Sequence, residues 1–400
     1  MTLLRRLSIP AIAALTAAPL AVTGAASASG DAPPELVLGA ASASAQSAEN
    51  ARGAQDPVAK DRSVIRLDAR ALESGTVAID LGDRHVVAER TRATTNSSGS
   101  KVWSGRISGT QYDVTFVRRG NEVTASVQLG ERLFRIAPGA RGSHVLTEVD
   151  LAAMPAEHPD TLPDGGGRNL TAKKPAPTTP GGTTANTVIR VLVVASAQAA
   201  AQNGGSAQAI AEQAVAETNT GYANSGIPIT MELAGYRNSP YSETGNFSTD
   251  LNRFSGTNDG YLDDMHAVRD QVGADVNVLL TTGTAYCGIG YLNATAATAF
   301  SVVATSCATG YYSFGHEIGH NQGAEHDPAN SGTSGYAHGY QYPAGKWRTI
   351  MAYNCTSGCT RLNYWSNPRI TYGGVPMGTT TTNDNARKLT ERAATVGAFR

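Results

Sequence analysis

From residue 63 to about 149, apolar and polar positions alternate, as in Tyr112-Asp113-Val114-Thr115-Phe116-Val117 and Glu122-Val123-Thr124-Ala125-Ser126-Val127, with Arg118-Arg119-Gly120-Asn121 as the turn between them. A period of two turns one face of a strand to a core and the other to water, so this stretch predicts a small antiparallel β domain, assigned to residues 63–160. The pattern changes at Val188. Residues 188–194, 227–233, 276–280 and 299–304 read as apolar strands, and 207–218, 262–272 and 384–399 as helices. Strands alternating with helices predict an α/β lobe with a mixed, mostly parallel twisted sheet. Between the two patterns, 161–187 holds Gly165-Gly166-Gly167, Lys173-Lys174-Pro175 and Pro180-Gly181-Gly182, the composition of a flexible linker.

At the other end, Arg5 and Arg6 precede an Ala/Leu/Val-rich run, and Ala26-Ser27-Ala28 offers small residues at a cleavage position. Residues 1–28 are therefore expected to be a signal peptide, and the protein secreted and extracellular. Residues 29–62, rich in Ala, Ser and Pro without periodicity, predict a disordered lead-in. Charged residues make up 16% of the 400, and the formal net charge is −1. No sustained positive field results, so nucleic acid is not an expected partner, and no later apolar run is long enough for a membrane span. The β domain has no cysteine, no acid/histidine cluster and no phosphate loop. A site-free domain ahead of a cleavable linker predicts a propeptide; an ordinary two-domain protein is the alternative.

The chemistry lies in Phe314-Gly315-His316-Glu317-Ile318-Gly319-His320-Asn321-Gln322-Gly323-Ala324-Glu325-His326-Asp327. On a helix, positions four apart differ by about 40°, so His316 and His320 can face one ion, with Glu317 beside them to accept a proton from water. His326 would point elsewhere if the helix continued. Gly323 can end it, because glycine takes the left-handed C-cap conformation without steric cost. Three imidazoles with an open fourth position describe one catalytic zinc rather than a closed structural site.

At these residues the chain resembles the metzincin zinc endopeptidases, whose motif is H-E-x-x-H-x-x-G-x-x-H followed by a methionine turn. The turn is matched by Thr349-Ile350-Met351-Ala352-Tyr353. Asn321 and Asp327 resemble the reprolysin branch, and Tyr286-Cys287-Gly288, Tyr364-Trp365-Ser366-Asn367-Pro368 and Asn383-Asp384-Asn385-Ala386-Arg387 resemble the bacterial peptidyl-Asp metallopeptidase group. The resemblance covers about 187–400. It implies a catalytic domain over 188–400, with a long active-site helix and a small irregular C-terminal lobe. It also implies Met351 as an apolar floor under the imidazoles, protein or peptide substrates, and the chain's own propeptide as a partner. Tyr353 departs from the reprolysin pattern towards astacins and serralysins; it is either a stabiliser of the transition state or a packing residue.

Peptide hydrolysis with Glu317 as general base is the expected reaction. A non-catalytic zinc-binding protein on the same scaffold is the alternative, against which the intact Glu317 argues. Between Asp327 and Asp384 there is no acid, while Lys346, Arg348, Arg361 and Arg369 fall in that interval. In metzincins this interval builds the pocket beyond the cut, so Arg361 or Arg369 is expected to read an Asp or Glu there; four solvated surface cations are the alternative. Four cysteines in an exported chain suggest two disulfides, and proximity favours Cys287 with Cys307 and Cys355 with Cys359. With no thiol in the β domain, latency would need another ligand, Asp160, Asp164 or His158, or simple steric cover. Asp259, Asp263 and Asp264 lack the spacing of a calcium loop, which leaves calcium an unsupported cofactor.

Overall fold

The computed structural model describes residues 32–52, 56–158 and 186–400. The signal peptide expected at 1–28, and most of the linker, with Asp160 and Asp164, lie outside the described residues. The N-terminal sheet has nine strands: β1 (Val37–Ala40), β2 (Ala59–Leu67), β3 (Thr76–Asp80), β4 (His85–Thr95), β5 (Lys101–Ile107), β6 (Asp113–Arg119), β7 (Glu122–Leu129), β8 (Arg132–Pro138) and β9 (His144–Val149). They run antiparallel in the order β1-β2-β9-β8-β7-β6-β5-β4-β3. A parallel bridge between Glu35 and Ala78 ties the first strand of that order to the last, so the sheet closes on itself and leaves short edges. Leu36, Val77, Ile79, Trp103, Phe116, Val127 and Phe134 fill its interior.

This corrects the expectation of a disordered lead-in over 29–62. That stretch carries β1, helix α1 (Ala43–Ala51) and the start of β2. Its composition concealed this, because β1 is only four residues long and its order comes from bridging two strands distant in sequence.

The second half holds a five-stranded sheet: β10 (Thr187–Ala195), β11 (Ile229–Asn238), β12 (Val276–Thr281), β13 (Gly288–Gly290) and β14 (Phe300–Ala304), in the order β11-β10-β12-β14-β13. The first four are mutually parallel and β13 is an antiparallel edge. Alternate residues of β10 serve different cores: Ile189, Val191 and Val193 face one, Leu192 and Val194 the other. The helices are α2 (Ala197–Gln202), α3 (Gln208–Asn224), α4 (Phe247–Ser255), α5 (Asp264–Val272), α6 (Thr305–Ala308), α7 (Ser313–Asn321), α8 (Pro328–Ser331) and α9 (Asn385–Val396). The helix expected to be long, α7, has nine residues. Short strands β15 (Gln341–Tyr342), β16 (Trp347–Arg348), β17 (Thr360–Arg361), β18 (Asn367–Tyr372) and β19 (Val375–Met377) form the small C-terminal lobe.

Residues 33–400 cluster as one unit, and α3 is the seam within it. One side of α3 packs on the five-stranded sheet, and the other meets β6 and β7. The second contact is mostly polar around one small apolar cluster of Val102, Val117 and Ala216. Ser100 donates to Glu212 at 2.7 Å, Gln213 to the Thr115 carbonyl at 3.0 Å and Asn224 to Asp113 at 2.7 Å. A face made of such groups can be rehydrated on separation, unlike an apolar one.

Candidate metal centre

The helix α7 ends where the motif requires. Gly323 has φ +88°, its N–H donates to the His320 carbonyl at 2.8 Å, and the Ala324 N–H donates to the Gly319 carbonyl at 2.9 Å. That pair of bonds is the Schellman C-cap. The chain reverses there and brings His326 back to the helix.

The three imidazoles then converge. Nε2 of His316 lies 3.0 Å from Nε2 of His326 and 3.1 Å from Nε2 of His320, and the last two are 3.1 Å apart. All three residues are buried. Nδ1 of His320 donates to the Ala324 carbonyl at 2.9 Å, and Nδ1 of His316 is 3.0 Å from the Ile350 carbonyl. The Ala324 carbonyl accepts, which leaves the Nε2 lone pair of His320 bare towards the other two rings. Nδ1 of His316 lies between the Ile350 carbonyl and Arg361 Nη2, 2.6 Å away, and three Nε2 atoms this close are the arrangement that a cation among them would hold. Its size suits metal–nitrogen bonds of about 2.0–2.1 Å. Burial holds His326 down at about 3; burial, and then the nearby Arg361, push His316 well below its ordinary value. Both rings are therefore neutral and able to ligate.

Around this triangle the sequence's other candidates fall as follows. Glu317 is fully buried, and burial raises its carboxyl. A Cβ at Gly288 would lie 2.6 Å from its Cγ, so glycine there lets edge strand β13 approach it. Met351 is buried, and its sulfur would sit 3.3 Å from a Cβ on Gly319, between the first two histidines. Asp327 accepts the Tyr353 N–H at 2.9 Å, fastening the third histidine's loop to the methionine turn. The Tyr353 ring lies 4.8 Å from that of His326, and its hydroxyl donates to the His158 carbonyl at 2.5 Å. Disulfides join Cys287 to Cys307 and Cys355 to Cys359.

Of the two arginines expected to read an acid, the structure brings one to the site. Arg361 is buried and donates through Nη1 to Glu157 at 2.6 Å, while its Nε holds the Ile350 carbonyl at 2.9 Å. Arg369 belongs elsewhere. Its half-exposed side chain pairs with Asp384, at 2.8 Å from Oδ1, the residue that caps α9. Its strand β18 turns it away from the imidazoles, which spacing along the sequence could not reveal. The missed partner is Arg348, buried on β16 directly opposite Arg361 on β17, with its Nη2 donating to the Tyr311 hydroxyl at 2.9 Å. Like charges placed opposite each other destabilise a strand pair, and here the Glu157 carboxylate offsets the one on Arg361. Sequence gave no pairing for two-residue strands. Also missed is Glu157, which sits beside His158, a residue anticipated only in passing.

The fold and site define a metallopeptidase. The profile described as Metallo-peptidase family M12 matches residues 185–366. Several proteins named peptidyl-Asp metalloendopeptidase align with the chain. That of Stenotrophomonas maltophilia (strain R551-3) is 45% identical over 84% of this chain and 86% of its own length. That of Xanthomonas campestris pv. campestris is 41% identical over 87% of this chain and 88% of its own. That of Pseudomonas fragi is 44% identical over 46% of this chain and all of its own. The chain belongs to this family of M12 metallopeptidases and is a metalloendopeptidase. A metalloproteinase-II structure from Bacteroides fragilis aligns loosely, at 14% identity and a TM-score of 0.39 over 70% of this chain and 85% of that one.

Proposed function

We propose that the chain is exported as a precursor and acts as a zinc endopeptidase that cuts on the amino side of an acidic residue, Asp above all. The convergence of the His316, His320 and His326 Nε2 atoms beside the Glu317 carboxylate carries the reading. A zinc ion there would polarise the scissile carbonyl and bring the pKa of a water to about 7. His316, His320 and His326 would hold it.

The chain's own groups do the rest. β13 has no further strand beside it in its sheet, so an extended substrate that takes the place of the residues now lying along that edge would run past Glu317. Glu317 takes the proton of the attacking water and passes it to the leaving amine, and a carboxyl raised by burial is better matched to that shuttle than an ordinary one. The Tyr353 hydroxyl, which already donates to a peptide carbonyl, is placed to do the same for the substrate's. Arg361 and Arg348 would receive the substrate's acidic side chain, a preference that the relatives' name, peptidyl-Asp metalloendopeptidase, supports. No helix among the described residues is long and apolar enough to cross a membrane.

Glu317→Gln removes the base while leaving all three imidazoles. It should retain zinc and lose at least about 100-fold in kcat, measured on a peptide with Asp after the cut. Retained turnover would end the assignment of the base.

A further inference from the structure

Residues after β9 leave the β domain and run straight over the metal centre. The Ala156 carbonyl accepts the Cys287 N–H at 3.0 Å, beside edge strand β13. On the other side the Tyr353 hydroxyl holds the His158 carbonyl. The segment is thus clamped at the edge where an extended substrate would pair. Its next two side chains enter the two halves of the site. Glu157 meets Arg361 at 2.6 Å, with side-chain exposures of 5% and 2%. The His158 imidazole is 4% exposed and points its Nε2 at Glu317 Oε2, 3.4 Å away. Its ring centroid is 5.2 Å from that of His320 and 5.4 Å from that of His326. Ligand atoms of His158, His320 and His326 all lie within 4.8 Å of one another.

We propose that Glu157 and His158 form a pseudosubstrate latch: His158 supplies a fourth nitrogen at the tri-histidine metal centre, and Glu157 fills the acid pocket at Arg361. The latch rests on the metal-site reading above. An imidazole between Glu317 and the three ligand rings takes the place of the water that Glu317 must deprotonate, so chemistry stops. A carboxylate on Arg361 takes the place of the substrate's acid, so binding stops too. The same pocket chemistry that selects substrates therefore recognises the protein's own segment, and burying Arg361 without a counter-charge would be costly. Because the latch is continuous with the β domain and lies ahead of the linker, departure of that domain withdraws both residues together. No thiol is needed.

The test uses the full-length chain carrying Glu317→Gln, which prevents self-cleavage, loaded with zinc and examined by X-ray absorption. The latch predicts four imidazole nitrogens at the ion, falling to three nitrogens and an oxygen with His158→Ala. Three nitrogens and an oxygen in the unaltered latch would overturn it. In a second arm Glu317 is intact, and uncut precursor, verified by gel, is assayed on a short peptide with Asp after the cut. Glu157→Ala or His158→Ala should raise the initial rate at least about tenfold by enlarging the competent fraction; rates equal to the wild-type precursor would overturn the latch. If an alanine variant does not fold, Glu157→Gln keeps the shape and should give a smaller rise in the same direction, with no rise counting against the proposal. A chain that binds zinc in none of these forms would instead remove the metal-site reading.

Discussion

The β domain and the catalytic half each surround an apolar core, yet they treat buried charge differently. In the β domain some buried charge is satisfied locally, as where Glu49 takes Arg62 at 2.6 Å and the Ala140 N–H at 2.7 Å, while Arg135 on β8 keeps two nitrogens without a hydrogen bond and only a distant acid, Asp56, at 3.9 Å. In the catalytic half, three imidazoles, the Glu317 carboxylate and the guanidiniums of Arg348 and Arg361 are all buried, and the imidazoles converge. Among the described residues Arg348 Nε and both Glu317 oxygens have no hydrogen bond. Burying charge in this way is expensive. What sets the catalytic half apart is that its unsatisfied groups, Glu317 and Arg348, lie around three converging imidazoles, whereas Arg135 stands alone in its sheet.

The strongest way to break this comparison is at Arg361. If its buried charge serves to read an acid, Arg361→Met should lower the ratio of kcat/KM for cleavage before Asp to that before Leu by about 10- to 100-fold, the worth of a charged hydrogen bond. An unchanged ratio with zinc still bound would make the residue structural.

The seam between the halves gives a smaller effect with a definite sign. Burial raises Asp113 from 3.8 to about 6, and Glu217 on α3 is raised by the same cause. The docked form therefore binds the extra proton. Docking should strengthen as pH falls through about 6 and weaken above it, by about tenfold between pH 5 and pH 7 for Asp113 alone. With the linker cut and zinc in excess, size-exclusion chromatography should show the β domain released more readily at the higher pH. Asp113→Asn should remove most of that dependence; a dependence of opposite sign would refute the linkage.

Arg369 sharpens the contrast from the other side. Its half-exposed pair with Asp384 should contribute no more than about 1 kcal/mol. Arg369→Ala is thus expected to leave the Asp/Leu ratio unchanged and barely alter the thermal midpoint.

Legibility from sequence followed the range of the interactions involved. The apolar runs that became β10, β12 and β14 were readable because each is buried on both faces and needs only itself to be recognised. The histidine triad was readable because a four-residue helical spacing and a glycine cap are local events. By contrast β16 and β17 have two residues each, and their pairing, which places Arg348 against Arg361, exists only in the folded lobe. The same holds for β1, ordered by the closure between Glu35 and Ala78, and for Glu157, which reaches Arg361 across 204 positions. Helix α4, with a buried face of Phe247, Leu251 and Phe254, was readable in principle but its short run between glycines hid it.

The account stands on three side chains gripping one ion. Elemental mass spectrometry of the purified, folded chain measures that directly, with His326→Ala alongside. One zinc per wild-type molecule, and its loss on dialysis from the variant, is the predicted result. Metal-free wild-type protein, or a variant that holds zinc as firmly as the wild type, would contradict it.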